Sequence, residues 1–357
     1  MEWRRQVSKT AIVIGSEGLI GTYLRDELIA EGWNVIGIAR RASTLEHAQY
    51  THVSVDLLDR EATFSALAPF KDITHAYFAG FTWRETKVAE LEANVALLVN
   101  SIEAVEAASP GLEHVCLFEG GKWYGCHVHA FKTPAYEDDL RVMPPLFYYD
   151  QQDYLSDRQA DVSWTWSALR PEGVGGVSVS TPHNFVQVAL IYAVICKELG
   201  LPLRFPGHPE CRDALYEMTD ARLLARSAIH VSTTPECASE AYNVTNGDAF
   251  RWGHMFGYIA NLMKMDYIGT QTMKLTEMMA DKGPLWERIV AEYDLAPFRL
   301  DELAFWEAGD GIFSQDWDNV RSIIKLRKTG FNDCIDSRDM VSDIHEEMIR
   351  RRMIPRY

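Results

Sequence analysis

Short runs of apolar, often β-branched residues punctuate the first half of the chain at 10–14 (Thr-Ala-Ile-Val-Ile), 34–38, 52–55, 74–78, 114–118 and 163–169. Several are apolar on both alternating faces, as strands buried in a parallel sheet are. Between them lie stretches with apolar residues at helical spacing, at 22–31, 59–67 and 88–108. Strand and helix alternating in this way predict an α/β fold, a doubly wound parallel sheet of Rossmann type.

Beyond Arg170-Pro171 the pattern loosens. It predicts a helix from about 183 to 199, a strand at 203–205, a helix near 220–231 and a strand at 241–244, and from 251 onward mostly helix, rich in Met and Trp. The expected organisation is a Rossmann domain over 1–180 with a return segment at about 214–250. A smaller, mainly helical substrate lobe takes 181–213 and 251–357. Such a lobe would close over the carboxyl edge of the sheet, where ligands bind in these folds.

Composition narrows the class. A chain of 357 residues with 47% hydrophobic residues can bury a large core. Its formal charge of −16 argues against nucleic-acid or anionic-membrane partners. Six cysteines (Cys116, Cys126, Cys196, Cys211, Cys237 and Cys334) lack paired spacing, so reduced thiols are expected rather than disulfides. Residues 1–5 carry no hydrophobic signal region. The longest apolar stretch, 185–196, is about half the length of a membrane span. A soluble cytoplasmic protein is predicted.

Glycines 15, 18 and 21 follow the first strand and open a helix. Glycine there lets the backbone approach a pyrophosphate, and the helix N-terminus offers free N–H groups and a positive dipole. The plain alternative is an ordinary strand-to-helix turn. Glu17 is an awkward neighbour for a phosphate, and its side chain is expected to point to solvent. At the end of the second strand an NAD-preferring site would place a carboxylate. Here stand Ala39-Arg40-Arg41-Ala42-Ser43, whose guanidinium groups suit a 2′-phosphate. NADPH is the expected cofactor. Asp56-Leu57 suits an adenine contact, or Asp56 caps a helix.

Chemistry centres on two segments. In Phe147-Tyr148-Tyr149-Asp150-Gln151-Gln152, Tyr148 sits where a short-chain dehydrogenase keeps the tyrosine of Tyr-x-x-x-Lys, but residue 152 is Gln. A lysine appears instead upstream, in Glu119-Gly120-Gly121-Lys122-Trp123-Tyr124-Gly125. A tyrosine hydroxyl with an ordinary pKa of about 10 needs a nearby cation to act as an acid near neutrality. Each residue alone reads equally as a loop lysine or a core aromatic. Together, at the sheet's carboxyl edge, they make an acid with its cation.

With these segments the chain resembles the progesterone 5β-reductase/iridoid synthase family (PRISE), an atypical branch of the extended short-chain dehydrogenases. The matching residues are Gly15 to Gly21, Ala39-Arg40-Arg41, Gly121-Lys122-Trp123-Tyr124-Gly125, Leu146-Phe147-Tyr148-Tyr149-Asp150 and Thr165-Trp166-Ser167-Ala168-Leu169-Arg170-Pro171. Further on, Arg204-Phe205-Pro206-Gly207 and Ala241-Tyr242-Asn243-Val244-Thr245-Asn246-Gly247-Asp248 match. The resemblance implies that Lys122 and Tyr148 are the catalytic pair, and that small apolar enones or enals are reduced at their carbon–carbon double bond with NADPH. The expected cofactor set is Gly15, Ser16, Glu17, Gly18, Leu19 and Ile20 in the loop, with Arg40, Arg41, Asp56 and Leu57 after the second and third strands. Ala79 and Gly80 follow the fourth strand, and Lys122, Tyr148 and Val174 surround the nicotinamide.

The chain departs from the family at Trp123, usually His, at Gly125-Cys126-His127-Val128-His129, and at Glu172-Gly173-Val174. These changes are expected to touch the substrate pocket. In the expected reaction Lys122 and the oxidised nicotinamide ring raise the acidity of Tyr148, which hydrogen-bonds the enolate oxygen, while water can supply the α-carbon proton. A carbonyl reductase, a nucleotide-sugar epimerase or dehydratase, and a cofactor-binding protein without turnover are the competing classes. No metal is expected, since Cys126, His127 and His129 lack a fourth ligand. An apolar stripe (Leu91, Val95, Leu98, Ile102, Val105) fits a homodimer interface or a core-facing helix equally. Met255, Met263, Met265, Met273, Met278 and Met279, with Trp252 and Trp286, fit either a substrate mouth or core.

Overall fold

The computed structural model describes residues 9–181 and 184–357. The N-terminal residues 1–5 and the expected helix start at His183 lie outside the described residues.

Seven parallel strands form the central sheet: β1 (Thr10–Ile14), β2 (Asn34–Ala39), β3 (Tyr50–Ser54), β4 (His75–Phe78), β5 (His114–Phe118), β6 (Thr165–Pro171) and a last strand, Glu240–Val244. From one edge the order is β3, β2, β1, β4, β5, β6 and the last strand, every neighbouring pair parallel. The strand order reverses between β1 and β4, which opens the crevice where such sheets take ligands. β1, β4 and β5 are buried along their whole length, because helices cover both faces. β3 lies at the edge and is only half-buried.

Side chains alternate across the sheet. Ile12 and Ile14 of β1 pack with Leu67, Leu98, Ile102 and Leu155 from α2 (Arg60–Leu67), α3 (Lys87–Ala108) and α4 (Phe147–Arg158). Ala11 and Val13 face α1 (Leu19–Ala30) and the helix Ala221–Thr233 on the other side. A third apolar cluster holds α5 (Phe185–Glu198), the helix Trp252–Leu262 and the helix Ser337–Arg350. Trp252, Met255, Met263, Met279 and Trp286 are buried inside it, which settles them as core residues.

Two boundaries moved for physical reasons. The helix expected from residue 22 begins at Leu19, because Gly18 takes the N-cap position. The strand expected to stop at Leu169 continues through Arg170 and Pro171, since the Arg170 guanidinium finds hydrogen-bond partners inside the fold. The α3 stripe divides as well. Leu98, Ile102 and Val105 are fully buried against the sheet, while the outer side of α3 carries Glu103 and Glu106, paired with Arg60 and Arg158. Among the described residues no helix is long and apolar enough to cross a membrane.

Candidate active site

β1 delivers the glycine loop. Gly15 has φ of +86°, and its N–H and that of Ser16 both donate to the Ile38 carbonyl at the end of β2 (2.8 and 3.1 Å). A Cβ on Gly15 would stand 2.7 Å from the Ala79 carbonyl, and one on Gly21 would stand 2.1 Å from the Gly15 carbonyl. Loop, helix and β4 therefore meet backbone to backbone, with Ala79 and Gly80 against Gly15. No side chain caps the N-terminus of α1 at Gly18, so its first amides are free to bind an anion. Leu19 is buried and Ile20 half-buried. This cradle fits a dinucleotide pyrophosphate.

Glu17 does not point to solvent. Its carboxylate receives Arg25 Nη1 at 2.8 Å and the Tyr50 hydroxyl at 3.1 Å. The expectation failed because Arg25 lies two helical turns further along α1, and Tyr50 reaches over from β3. Arg40 is exposed, and its guanidinium has no partner among the described residues. Arg41 is anchored through Nη2 to the Glu17 carbonyl at 2.6 Å and through Nη1 to the Val179 carbonyl at 3.3 Å. Asp56 is exposed and closes a turn on the Leu58 amide, whereas Asp59 caps α2. Leu57 is buried, and Val174 is half-buried in a short strand that pairs with Thr219.

The residues expected to react stand after β5 and at the start of α4. The chain leaves Phe118 through Glu119 and Gly120 into a single 3-10 turn, Gly121–Tyr124, which carries Lys122. Tyr148 rises beside it from the first turn of α4. A Cβ on Gly120 would lie 3.3 Å from the Tyr148 hydroxyl and 3.6 Å from the Pro171 carbonyl, which places that hydroxyl at the ends of β5 and β6. Neither the Lys122 ammonium nor the Tyr148 hydroxyl has a hydrogen-bond partner among the described residues. Tyr149 differs: it donates to the Trp123 carbonyl at 2.7 Å and accepts from the Val142 amide at 2.9 Å. Its hydroxyl is committed to structure, whereas that of Tyr148 is free to meet a ligand.

The protein groups around Tyr148 act against an acidic phenol. Burial pushes the Tyr148 phenol well above its ordinary value, and the carboxylate of Glu119 heads the charges that push it further. Lys122 is not among the leading influences. Burial lowers the ammonium of Lys122, Lys87 adds to this, and Glu90, Cys126 and Glu172 oppose it. Tyr148 is accordingly a neutral hydroxyl, suited to donate a hydrogen bond to a developing negative charge.

Two buried charged groups escaped the sequence. Arg170, 1% exposed, donates through Nε to Glu119 at 2.7 Å, through Nη1 to the Tyr124 hydroxyl and the Glu137 carbonyl, and through Nη2 to Gln152 at 3.1 Å. Its guanidinium lies 3.5 Å from the centre of the Trp123 ring, so Trp123 is a packing partner of Arg170. On the other side of the turn, Glu172 accepts from Arg321 Nη2 at 2.7 Å and from the Tyr216 hydroxyl at 2.8 Å. The one available signal was a charge within or beside an otherwise apolar strand, at Glu119 and Arg170.

His127 is exposed, and desolvation by its neighbours, with Lys122 and Lys87 adding to this, lowers its imidazole to about 4. Among the described residues no cluster of three or more His, Cys, Asp or Glu is arranged to hold a metal ion.

Residues 34–301 match the model of a PRISE-like Rossmann-fold domain. An (S)-8-oxocitronellyl enol synthase of Nepeta racemosa is 34% identical over 340 residues, covering 90% of this chain and 85% of that protein. A 3-oxo-Delta(4,5)-steroid 5-beta-reductase of Arabidopsis thaliana is 32% identical over 337 residues, 90% of this chain and 87% of its own. Among solved structures, the epimerase Mth375 of Methanothermobacter thermautotrophicus superposes with a TM-score of 0.71 at 16% identity, covering 96% of this chain and 93% of its own. At that identity the likeness is one of fold.

Proposed function

The chain belongs to the PRISE-like Rossmann-fold family, and from that premise we propose that it is an NADPH-dependent reductase of activated carbon–carbon double bonds in small apolar enones or enals. The observation that carries this reading is the unpartnered Tyr148 hydroxyl under Gly120, beside a turn that holds Lys122, with Gln at position 152. Sugar-modifying enzymes of the same fold keep Tyr-x-x-x-Lys and a hydroxyl residue before it. This chain has Gln152 and Glu119-Gly120 at those places.

When bound, NADPH supplies the hydride that adds to the β-carbon of the substrate. The glycine loop and the uncapped end of α1 would hold its pyrophosphate, and Arg40 and Arg41 its 2′-phosphate. The absence of an acid at the end of β2 supports NADPH over NADH. Tyr148 donates its hydrogen bond to the substrate carbonyl as that oxygen becomes an enolate, a contact stronger in the transition state than in the ground state. Its burial keeps the proton on the phenol, and water protonates the α-carbon. Lys122 orients the cofactor's ribose and adds positive charge to the site.

The substrate would lie between the turn 121–124 and the helical part of the chain, over 181–213 and 251–357, with 1–180 and about 214–250 as the cofactor domain. Five of the six cysteines are buried and all are free, which supports a reducing compartment such as the cytoplasm. A homodimer across the α3 face gains no support from the stripe that suggested it, because its most buried members pack on the sheet.

NADPH oxidation screened over enones, enals, steroids and saturated ketones, with product structures determined, tests the assignment. Reduction of the double bond in enones or enals is expected. Faster reduction of saturated ketones would make the protein a carbonyl reductase instead.

A further inference from the structure

Glu17 places a carboxylate inside the loop that is to receive a pyrophosphate and, one strand over, a 2′-phosphate. We propose that Arg25, assisted by Tyr50, is a specificity-determining residue for the cofactor: it holds the Glu17 carboxylate back against α1 and so keeps Arg40 and Arg41 available to a 2′-phosphate. The inference rests on the NADPH reading above and adds to it the residue that makes the loop compatible with that cofactor.

The geometry is specific. Arg25 Nη1 meets Glu17 Oε1 at 2.8 Å, with both side chains largely buried (8% and 17% exposed). The Tyr50 hydroxyl donates to the same oxygen at 3.1 Å, and the Arg25 guanidinium lies 5.3 Å from the Tyr50 ring centre. Arg25 is itself fixed through Nε to Asp26 at 2.8 Å. Tyr50 fits over Gly37, where a Cβ would come within 2.2 Å of its hydroxyl, so the end of β2 is shaped to admit it.

The cofactor arginines belong to the same unit. Arg41 Nη2 sits on the backbone carbonyl of Glu17 at 2.6 Å, so the Glu17 side chain departs from a residue that Arg41 already touches. A carboxylate released from Arg25 has two effects. It repels a phosphate dianion brought to the loop, and it competes for the guanidinium of Arg41 through a charge-assisted pair. Repulsion of the pyrophosphate falls on both cofactors, but the loss of Arg41 and the repulsion of a 2′-phosphate fall on NADPH alone, since the NADH ribose carries a hydroxyl that a freed carboxylate can accept from. The held and released states of Glu17 therefore differ in the ratio of the two affinities.

Equilibrium titration of NADPH and of NADH measures that ratio in wild type, Arg25→Met, Tyr50→Phe, Glu17→Gln and the double variant Glu17→Gln/Arg25→Met. Arg25→Met is expected to weaken NADPH about tenfold more than NADH, in line with losing one charge-assisted contact in a partly screened site. Tyr50→Phe keeps the ring and should shift the ratio the same way by less, which keeps the proposal testable if Arg25→Met folds poorly. Glu17→Gln should leave the ratio near wild type, and the double variant should return to it. A ratio unmoved by both Arg25→Met and Tyr50→Phe, or a double variant as weak for NADPH as Arg25→Met, overturns the proposal. Equal affinity of wild type for the two cofactors would instead overturn the NADPH reading, an outcome separate from the response of the ratio to Arg25.

Discussion

Arg170 donates through Nη2 to the side-chain oxygen of Gln152 at 3.1 Å. Gln152 lies one helical turn beyond Tyr148, where other short-chain dehydrogenases keep a lysine. In this chain that place faces a guanidinium already bound to Glu119 and stacked on Trp123. An ammonium there would oppose Arg170 across a half-buried gap. A lysine is disfavoured there, and the cation proposed for this site, Lys122, stands in the turn after β5. Arg170 thereby joins β5, β6 and α4, and it fixes the helix from which Tyr148 projects.

Gln152→Lys is accordingly expected to destabilise the protein rather than restore the usual motif. Placing a like charge beside Arg170 should cost roughly 1–3 kcal/mol, read as a lowered Tm. The same substitution should not rescue the activity of Lys122→Met. Restored turnover in the double variant would show that position 152 can still host the cation.

The adjacent tyrosines should separate chemistry from structure. Tyr148→Phe removes a hydroxyl without a partner among the described residues, so folding and cofactor affinity should survive while enone reduction falls about 10²-fold or more. Weakly activated enones should lose most, because their enolates need most help. Tyr149→Phe leaves the Trp123 carbonyl and the Val142 amide without partners, and should lower stability by roughly 1–3 kcal/mol with a smaller effect on kcat. Parallel kcat/KM and thermal-melt measurements decide the matter. A reversed pattern would mean that Tyr149 is the reacting residue.

The sheet was legible because strands covered on both faces leave runs of Ile, Val and Ala that little else produces, and the glycine loop because a strand precedes it and a helix follows. The charged networks were not. Arg170 and Glu119 are 51 residues apart, and Arg321 and Glu172 are 149 apart, so no local spacing relates them. The α3 stripe was ambiguous for a different reason, since apolar periodicity records that a face is covered and says nothing of what covers it. Glu17 was misjudged because a charge is expected in water unless its partner is known, and the partners are Arg25 and Tyr50.

Glu119 should give stability a particular pH dependence. Burial raises its carboxyl to about 7, although Arg170 opposes the shift. The folded state thus holds a proton that the unfolded chain, titrating near the ordinary value of about 4.3, has already lost. This stabilising contribution is complete below the unfolded value and disappears as pH rises through about 7. Glu119→Gln cannot ionise, so its Tm relative to wild type should move in its own favour between about pH 5 and 8. A difference in Tm that is flat across that range would mean that Glu119 titrates normally and stays an anion paired with Arg170.

The two glycines before Lys122 should respond differently to alanine. Gly121 lies on the buried pair of Glu172 and Arg321, where a Cβ would come within 1.9 Å of Glu172 Oε2 and 2.6 Å of Arg321 Nη2. Neither end can move without breaking a buried ion pair, so Gly121→Ala should cost about 3 kcal/mol. Gly120 has an extended backbone (φ 173°), which any residue adopts. The nearest atoms to its added methyl would be the Tyr148 hydroxyl at 3.3 Å, the Pro171 carbonyl at 3.6 Å and Tyr148 Cε2 at 3.8 Å. Gly120→Ala should therefore fold with a Tm near wild type, yet crowd the Tyr148 hydroxyl, to which the proposed reaction brings the substrate oxygen. Turnover should fall while NADPH affinity, measured by titration, stays within about twofold, since the methyl lies against the phenol. Unchanged kcat/KM in a well-folded Gly120→Ala protein would count against the Tyr148 hydroxyl as the place where the carbonyl oxygen binds.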